Sequence, residues 1–244
     1  MNFQSSGADG QPDHQRGYVN APNGGSYGIE RGCTFGIYIR SSGDLPLRLL
    51  VVYCHPHSQS FCRALLDRVL AGLAVHGHDV DLLDLYAEGF DPVLREGEWL
   101  DYINNPQKSI DGVMADHVRR IERAEGMVFV FPTWFFGLPA MLKGWLDRAW
   151  LPGVAFDIPA NGGVARSRLR RIRFLGAVTT TALPWIALQT LGYPGQRVIR
   201  RCIRVGLALR CKQLWMGQHS IETSTLAQRQ RFLAKVEQRF GNVT

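Results

Sequence analysis

The chain has 244 residues, 45% of them hydrophobic and 20% charged, with a net charge of +7. Such a composition suits one globular domain with a sizeable core and excludes fibrous or wholly disordered classes. No apolar run reaches the roughly 18 residues of a membrane span; the nearest, Met127–Leu142, is interrupted by Pro132, Gly137 and Pro139.

Residues 1–46 are rich in Gly, Ser, Asn and Gln and are expected to be a disordered extension. Within them only Cys33–Ile39 forms an apolar patch that could pair as a stray strand. From residue 47 to 244, strand and helix patterns alternate. Leu47–Tyr53 reads as a buried first strand, and Ser58–His76 as a helix with Phe61, Leu65, Leu66, Val69, Leu70 and Leu73 on one face, ended by Gly77. His76 and His78, flanking that glycine, are expected to be exposed. Asp79–Leu85 alternates as a second strand. Residues 86–108 form a connection long enough to suggest a functional excursion. Ser109–Ala124 reads as one helix, Gly126–Phe131 as strand three, and Leu138–Trp150 as a helix with Pro139 in its first turn. Ile172–Thr180 is strand four, Trp185–Gly206 a weak helix broken at Gly192 and Pro194, Gln213–Gly217 strand five, and Thr225–Phe240 the last helix. Strands alternating with helices imply a three-layer α/β domain with a five-stranded parallel sheet. Ligands of such sheets sit beyond the carboxyl ends of the strands.

Three loops lie there. The loop after strand three, Pro132, Thr133, Trp134, Phe135, Phe136 and Gly137, carries three adjacent aromatics where a chain normally meets water. Either the rings are core residues at the start of a helix, or something flat and apolar covers them, for which a flavin ring is the leading candidate. The loop after strand one, from Cys54, runs straight into a helix. Its start offers free N–H groups and a positive dipole end to phosphate, with His55, Ser58 and Ser60 as further donors; alternatively it is a simple helix cap. Cys54, His55, His57 and Cys62 could each ligate zinc, but their spacing matches no finger pattern, and no metal site is expected. The loop after strand four, Thr179, Thr180, Thr181, Ala182, Leu183, Pro184, Trp185, offers three hydroxyls to a ring edge and an indole as a substrate-pocket wall. Leu138, Met141, Leu142, Trp145, Leu146 and Ala149 form a helical stripe read as core or subunit interface.

Charge is unevenly spread. From Val154 to Thr244 there are 15 basic and 3 acidic residues, and none acidic between Asp157 and Glu222. That half would attract phosphate-bearing ligands such as NADPH, or it is a solvated basic face. A nucleic-acid module on this face is a rival reading, but no helix-turn-helix or RNA-binding aromatic motif accompanies it, so no nucleic acid is expected. Five cysteines without a CxxC pair, and no signal-like amino terminus, suit the reducing cytoplasm.

Phe131–Trp150 (FPTWFFGLPAMLKGWLDRAW), with Val51–Phe61 (VVYCHPHSQSF), Asp81–Val93 (DLLDLYAEGFDPV) and the position of TTTALPW, resembles the flavodoxin-like NAD(P)H:quinone oxidoreductases across residues 47–240. The resemblance implies a flavodoxin-like fold, bound FAD (FMN possible) and a homodimer. It also implies a ping-pong reaction passing hydride from NAD(P)H through the flavin to a quinone-like acceptor. By motif position it implies that His55, Ser60, Phe61 and Cys62 meet the flavin's phosphates and ribityl chain. Pro132, Thr133, Trp134, Phe135 and Phe136, with Thr179, Thr180 and Thr181, would meet the ring, and Trp134 and Trp185 the substrate. The chain departs from the family in having Cys62 for a frequent Asn, Phe135 for a second Trp, and no Gly-Gly after the threonines. The family's assisting Tyr and His also have no clear counterpart here, Tyr193 lying too far along the chain to be assigned. An alternative is a regulatory flavoprotein that signals redox state to a partner.

Overall fold

The apolar run that starts at Leu47 builds the middle of a sheet. The computed structural model describes residues 18–20, 26–28, 46–159, 161 and 163–244. Of the expected disordered extension it describes only β1 (Tyr18–Asn20), paired antiparallel with β2 (Ser26–Gly28), and residue 46; the Cys33–Ile39 patch lies outside the described residues. There follow β3 (Arg48–Tyr53), α1 (Phe61–Ala74), β4 (Asp79–Asp84), α2 (Glu96–Asn104), α3 (Pro106–Asp111), α4 (Ala115–Arg123) and β5 (Gly126–Pro132). Next come α5 (Ala140–Ala149), β6 (Phe156–Asp157), β7 (Arg166–Ser167), β8 (Phe174–Thr180), α6 (Trp185–Thr190) and α7 (Pro194–Arg197). A π-helix (Val198–Ile203), β9 (Lys212–Gln218) and α8 (Leu226–Phe240) complete the chain.

The main sheet has the order β4-β3-β5-β8-β9, with every neighbouring pair parallel. This is the doubly wound α/β arrangement expected from the alternation. Because side chains alternate across a strand, each apolar strand feeds two cores. Leu49, Val51 and Tyr53 of β3 pack with α1 and α8, while Leu50 and Val52 face the side covered by α4, α5 and the π-helix. The stripe Leu142, Trp145, Leu146, Ala149 of α5 is buried in that second core.

Three expectations change. Residues 86–108 are not a structureless excursion: α2 and the start of α3 lie within them, and the segment is clamped to α5. Arg148, 8% exposed, bonds Glu98 through its Nε at 3.1 Å, donates through Nη1 to the Asp91 carbonyl, and lies 5.1 Å from the Phe90 ring. A Cβ on Gly144 would meet the Pro92 carbonyl oxygen at 2.1 Å, so only glycine admits this contact. The single helix expected over Ser109–Ala124 is divided, with Gly112 leaving helical geometry at φ −86°, ψ −140° and Val113 exposed. The weak helix over Trp185–Gly206 breaks at Gly192 and Pro194 as expected, into α6, α7 and the π-helix, with Gly192 and Tyr193 taking positive φ, 75° and 46°. His78 is buried, not exposed: its Nδ1 accepts from the Leu47 amide at 3.0 Å and its Nε2 lies 2.9 Å from the Val243 carbonyl.

Candidate functional site

The three loops singled out in the sequence leave β3, β5 and β8, three adjacent strands, at their carboxyl ends. The β3 loop holds its shape through backbone bonds. The Cys54 amide donates to the Val130 carbonyl and the Ser60 amide to the His57 carbonyl. The His57 amide donates to His55 Nδ1 at 3.0 Å. An Nδ1 that accepts carries no proton, so His55 is neutral with Nε2–H as its donor. Burial pushes its pKa down, in keeping with that state. Ser60 caps α1, its hydroxyl accepting from the Arg63 amide at 3.1 Å. The amides of Phe61 and Cys62 have no acceptor within the helix and point from its positive end. Beneath them the buried Tyr53 hydroxyl has no hydrogen-bond partner among the described residues, and burial, opposed by the nearby Ser60 side chain, pushes its pKa up to about 12.

The β5 loop is a tight turn. The Gly137 amide donates to the Trp134 carbonyl at 3.0 Å, with Phe135 and Phe136 between them at φ 43° and 63°. Two positive φ values at the centre mark the type I′ pattern, normally given to Asn and Gly. Bulky residues there are strained, each by about 1–2 kcal/mol. The turn exposes its rings: Trp134 is 42% exposed, Phe135 95% and Phe136 39%. They are not core residues.

The loops are joined. The Trp134 ring lies 6.0 Å from that of His55. Thr133 Oγ1 lies 2.9 Å from Thr179 Oγ1, and the Thr133 amide donates to the Thr180 carbonyl at 2.7 Å. The three threonines are buried and differ in what they offer. Thr179 is engaged with Thr133, and Thr181 Oγ1 accepts from the Leu183 amide at 3.2 Å. The Thr180 side chain has no hydrogen bond among the described residues. Pro132 ends β5 opposite Thr180. Trp185 opens α6, exposed, and makes no ring contact with the aromatic turn among the described residues. The Cys62 thiol is buried in the core under α1, and Cys54 in the core on the other face of the sheet.

Sequence reasoning passed over one pair. Tyr193 is buried, and its hydroxyl lies 3.1 Å from His219 Nε2, just beyond the end of β9. The pair is packed so closely that a Cβ on Gly217 would lie 2.9 Å from Tyr193 Oη. Two residues on, Gly195 lies against Gly137 of the aromatic turn. Neither residue belongs to a local motif, since 26 positions separate them. The positive φ at Gly192 and Tyr193 folds α7 back and brings them together.

A parallel sheet of this order with three ligand-ready loops at one end defines a flavodoxin-type domain. The profile of the flavodoxin-like fold family matches residues 47–195, and the chain belongs to that family. Ribosyldihydronicotinamide dehydrogenase (quinone) of Pongo abelii is 30% identical over 138 residues, which cover 50% of this chain and 60% of that protein. The chain thus spans about 60% of the length of such curated relatives. Among solved structures, Smu.1420 from Streptococcus mutans UA159 is 28% identical with a TM-score of 0.69, covering 80% of this chain and 100% of that one. The NAD(P)H:quinone oxidoreductase from Methanothermobacter marburgensis is 25% identical with a TM-score of 0.68, covering 82% and 100%.

Proposed function

We propose that the protein is a flavin-dependent oxidoreductase that moves hydride from NAD(P)H to a quinone or similar acceptor. The observation that carries this reading is the exposed, strained turn Trp134–Gly137, tied by Thr133 to Thr179 and by Trp134 to His55. Strain held at a loop with bare rings is the mark of a site completed by a ligand. The names of the curated relative and of the solved Methanothermobacter marburgensis enzyme support the same chemistry.

The residues present fit a flavin. The α1 amides of Phe61 and Cys62, with His55 Nε2–H, suit its phosphate groups. Trp134, Phe135 and Phe136 suit its ring, and the Thr180 hydroxyl its polar edge. A bound flavin would supply the hydride-transfer chemistry, and the pocket these residues line would take the nicotinamide and the acceptor in turn. The chain's own part is to stack and orient the flat partners against the aromatic turn and to keep water out. Neutral His55 contributes a donor without a fixed positive charge. We assign FAD in preference to FMN, a homodimer, and a cytoplasmic setting to the same reading. Among the described residues no helix is long and apolar enough to cross a membrane.

The visible spectrum of the purified protein, recorded without oxygen before and after NADPH, tests the proposal. Flavin bands that bleach support it. A colourless protein that takes up neither FAD nor FMN overturns it. Mass analysis of the released cofactor distinguishes FAD from FMN, and sedimentation gives the subunit number.

A further inference from the structure

A second concavity lies apart from the three loops, against the edge strand β9. It is a cleft of about 300 Å³ lined by Arg197, Arg200 and Arg201 with Gln189, Gln196 and Gln213, and Tyr193 forms one end. No carboxylate lines it, and the sequence supplies none between Asp157 and Glu222. Several other arginines pair with carboxylates: Arg63 with Asp67, Arg68 with Glu237, Arg120 with Asp116 and Arg168 with Asp157. Arg197 and Arg201 have no such partner among the described residues, and Arg200 holds only Gln213 Oε1, at 3.3 Å.

The arrangement is built into the backbone. Gly192 takes φ 75°, a conformation that favours glycine, and the Arg197 guanidinium lies over it, its carbon 2.9 Å from where a Cβ would stand. The π-helix Val198–Ile203 carries Arg200 and Arg201, and π-type turns recur at functional sites. Three guanidiniums without a carboxylate partner around one cleft match the charge and the forked hydrogen bonding of a phosphate ester. Tyr193, which lines the cleft, bonds His219 beyond β9, and a Cβ on Gly195 would come within 3.4 Å of Gly137 of the aromatic turn.

We propose that this cleft binds a phosphate monoester, the 2′-phosphate of NADPH, and so sets a preference for NADPH over NADH. The inference rests on the oxidoreductase reading for the identity of the nucleotide, while the phosphate site itself does not.

Calorimetric titration of the full-length protein with 2′,5′-ADP and with 5′-AMP tests it, since neither probe needs flavin chemistry. The expected result is binding of 2′,5′-ADP about tenfold or more tighter than 5′-AMP. That preference should vanish in an Arg197→Ala/Arg201→Ala variant with unchanged unfolding temperature and flavin content. An Arg239→Gln variant, which removes an exposed charge on α8, should keep it. In turnover, the double variant should lower the NADPH-to-NADH ratio of kcat/KM by a similar factor. Equal binding of the two probes, or a preference that survives the double variant, overturns the proposal. Inorganic pyrophosphate or a single-stranded oligonucleotide displacing 2′,5′-ADP at equal strength overturns it too, marking a general polyanion surface. A protein that keeps the 2′,5′-ADP preference but cannot be reduced by NADPH would retain the phosphate site and remove the oxidoreductase reading instead.

Discussion

The hydroxyls of Thr133 and Thr179 stand 2.9 Å apart, and the Thr133 amide donates to the neighbouring Thr180 carbonyl at 2.7 Å. Two bonds thus fix the start of the aromatic turn to the end of the adjacent strand. Thr179→Val keeps the shape and removes one of them, leaving the Thr133 hydroxyl unmatched. We expect a loss of about 1 kcal/mol in urea unfolding, together with weaker flavin retention. Unchanged stability and retention would mean the bond does not position the loop.

The turn itself gives an opposing pair of effects. Replacing Phe135 and Phe136 by Asn and Gly supplies the residues that positive φ favours. Relief of strain should raise stability by about 1–2 kcal/mol. Loss of the rings should lower flavin affinity about tenfold or more, read by titrating the flavin-free protein with FAD. A variant that gains stability and keeps its affinity would remove Phe135 and Phe136 from the site.

Arg148 gives a prediction remote from the loops. It is nearly buried and holds Glu98 and the Asp91 carbonyl. Arg148→Ala leaves that carboxylate and carbonyl facing each other without a cation, so a loss of about 3–5 kcal/mol is expected in chemical unfolding. Hydrogen exchange should rise first in residues 86–104. A loss under about 1 kcal/mol would mark the pair as a solvated one.

Stability should fall on mild acidification. Burial pushes the pKa of His55, His117 and His219 below the ordinary histidine value. As pH falls through that ordinary value, near 6.5, the unfolded chain takes up protons before the folded one. The contribution of these imidazoles is therefore complete above it and is lost as pH drops through the lowered values. The urea midpoint should decrease between about pH 7.5 and pH 5, above the range where most carboxylates titrate. His219→Gln should flatten part of that slope. A midpoint that rises across the window would contradict the shifts.

The strands and their parallel arrangement were legible because buried parallel strands are written as uninterrupted apolar runs, as in Leu49–Tyr53 and Met127–Phe131, whereas their order in the sheet was not read from the sequence. The three loops were legible for a related reason: bare aromatics and clustered threonines have no use in an ordinary turn. Two other things were not legible. The break at Gly112 and the positive φ at Tyr193 depend on tertiary packing, which overrides local propensity. The roles of individual hydroxyls depend on which partners the fold supplies: Thr133 takes Thr179, 46 residues away, while Thr181 takes the nearby Leu183 amide, so Thr180 alone of the four threonines keeps a side chain without a hydrogen bond among the described residues. The burial of His78 has the same origin, since its partners are Leu47 and Val243.

The helix that presents its amino end to the candidate site leans on the last helix of the domain. Arg68 of α1 meets Glu237 at 2.8 Å, and Gly72 lies so close to α8 that a Cβ would fall 2.5 Å from the Glu237 carbonyl oxygen. About 170 residues separate these partners. During synthesis, then, the strands that frame the loops emerge well before the support for α1 does. Contacts this distant in sequence form late, because a large loop must close first. The growing chain therefore acquires the amino end of α1 in final position only when α8 has docked. On the proposed reading, flavin capture and completion of the fold become the same late event, and free flavin during refolding should speed the final phase more than the first.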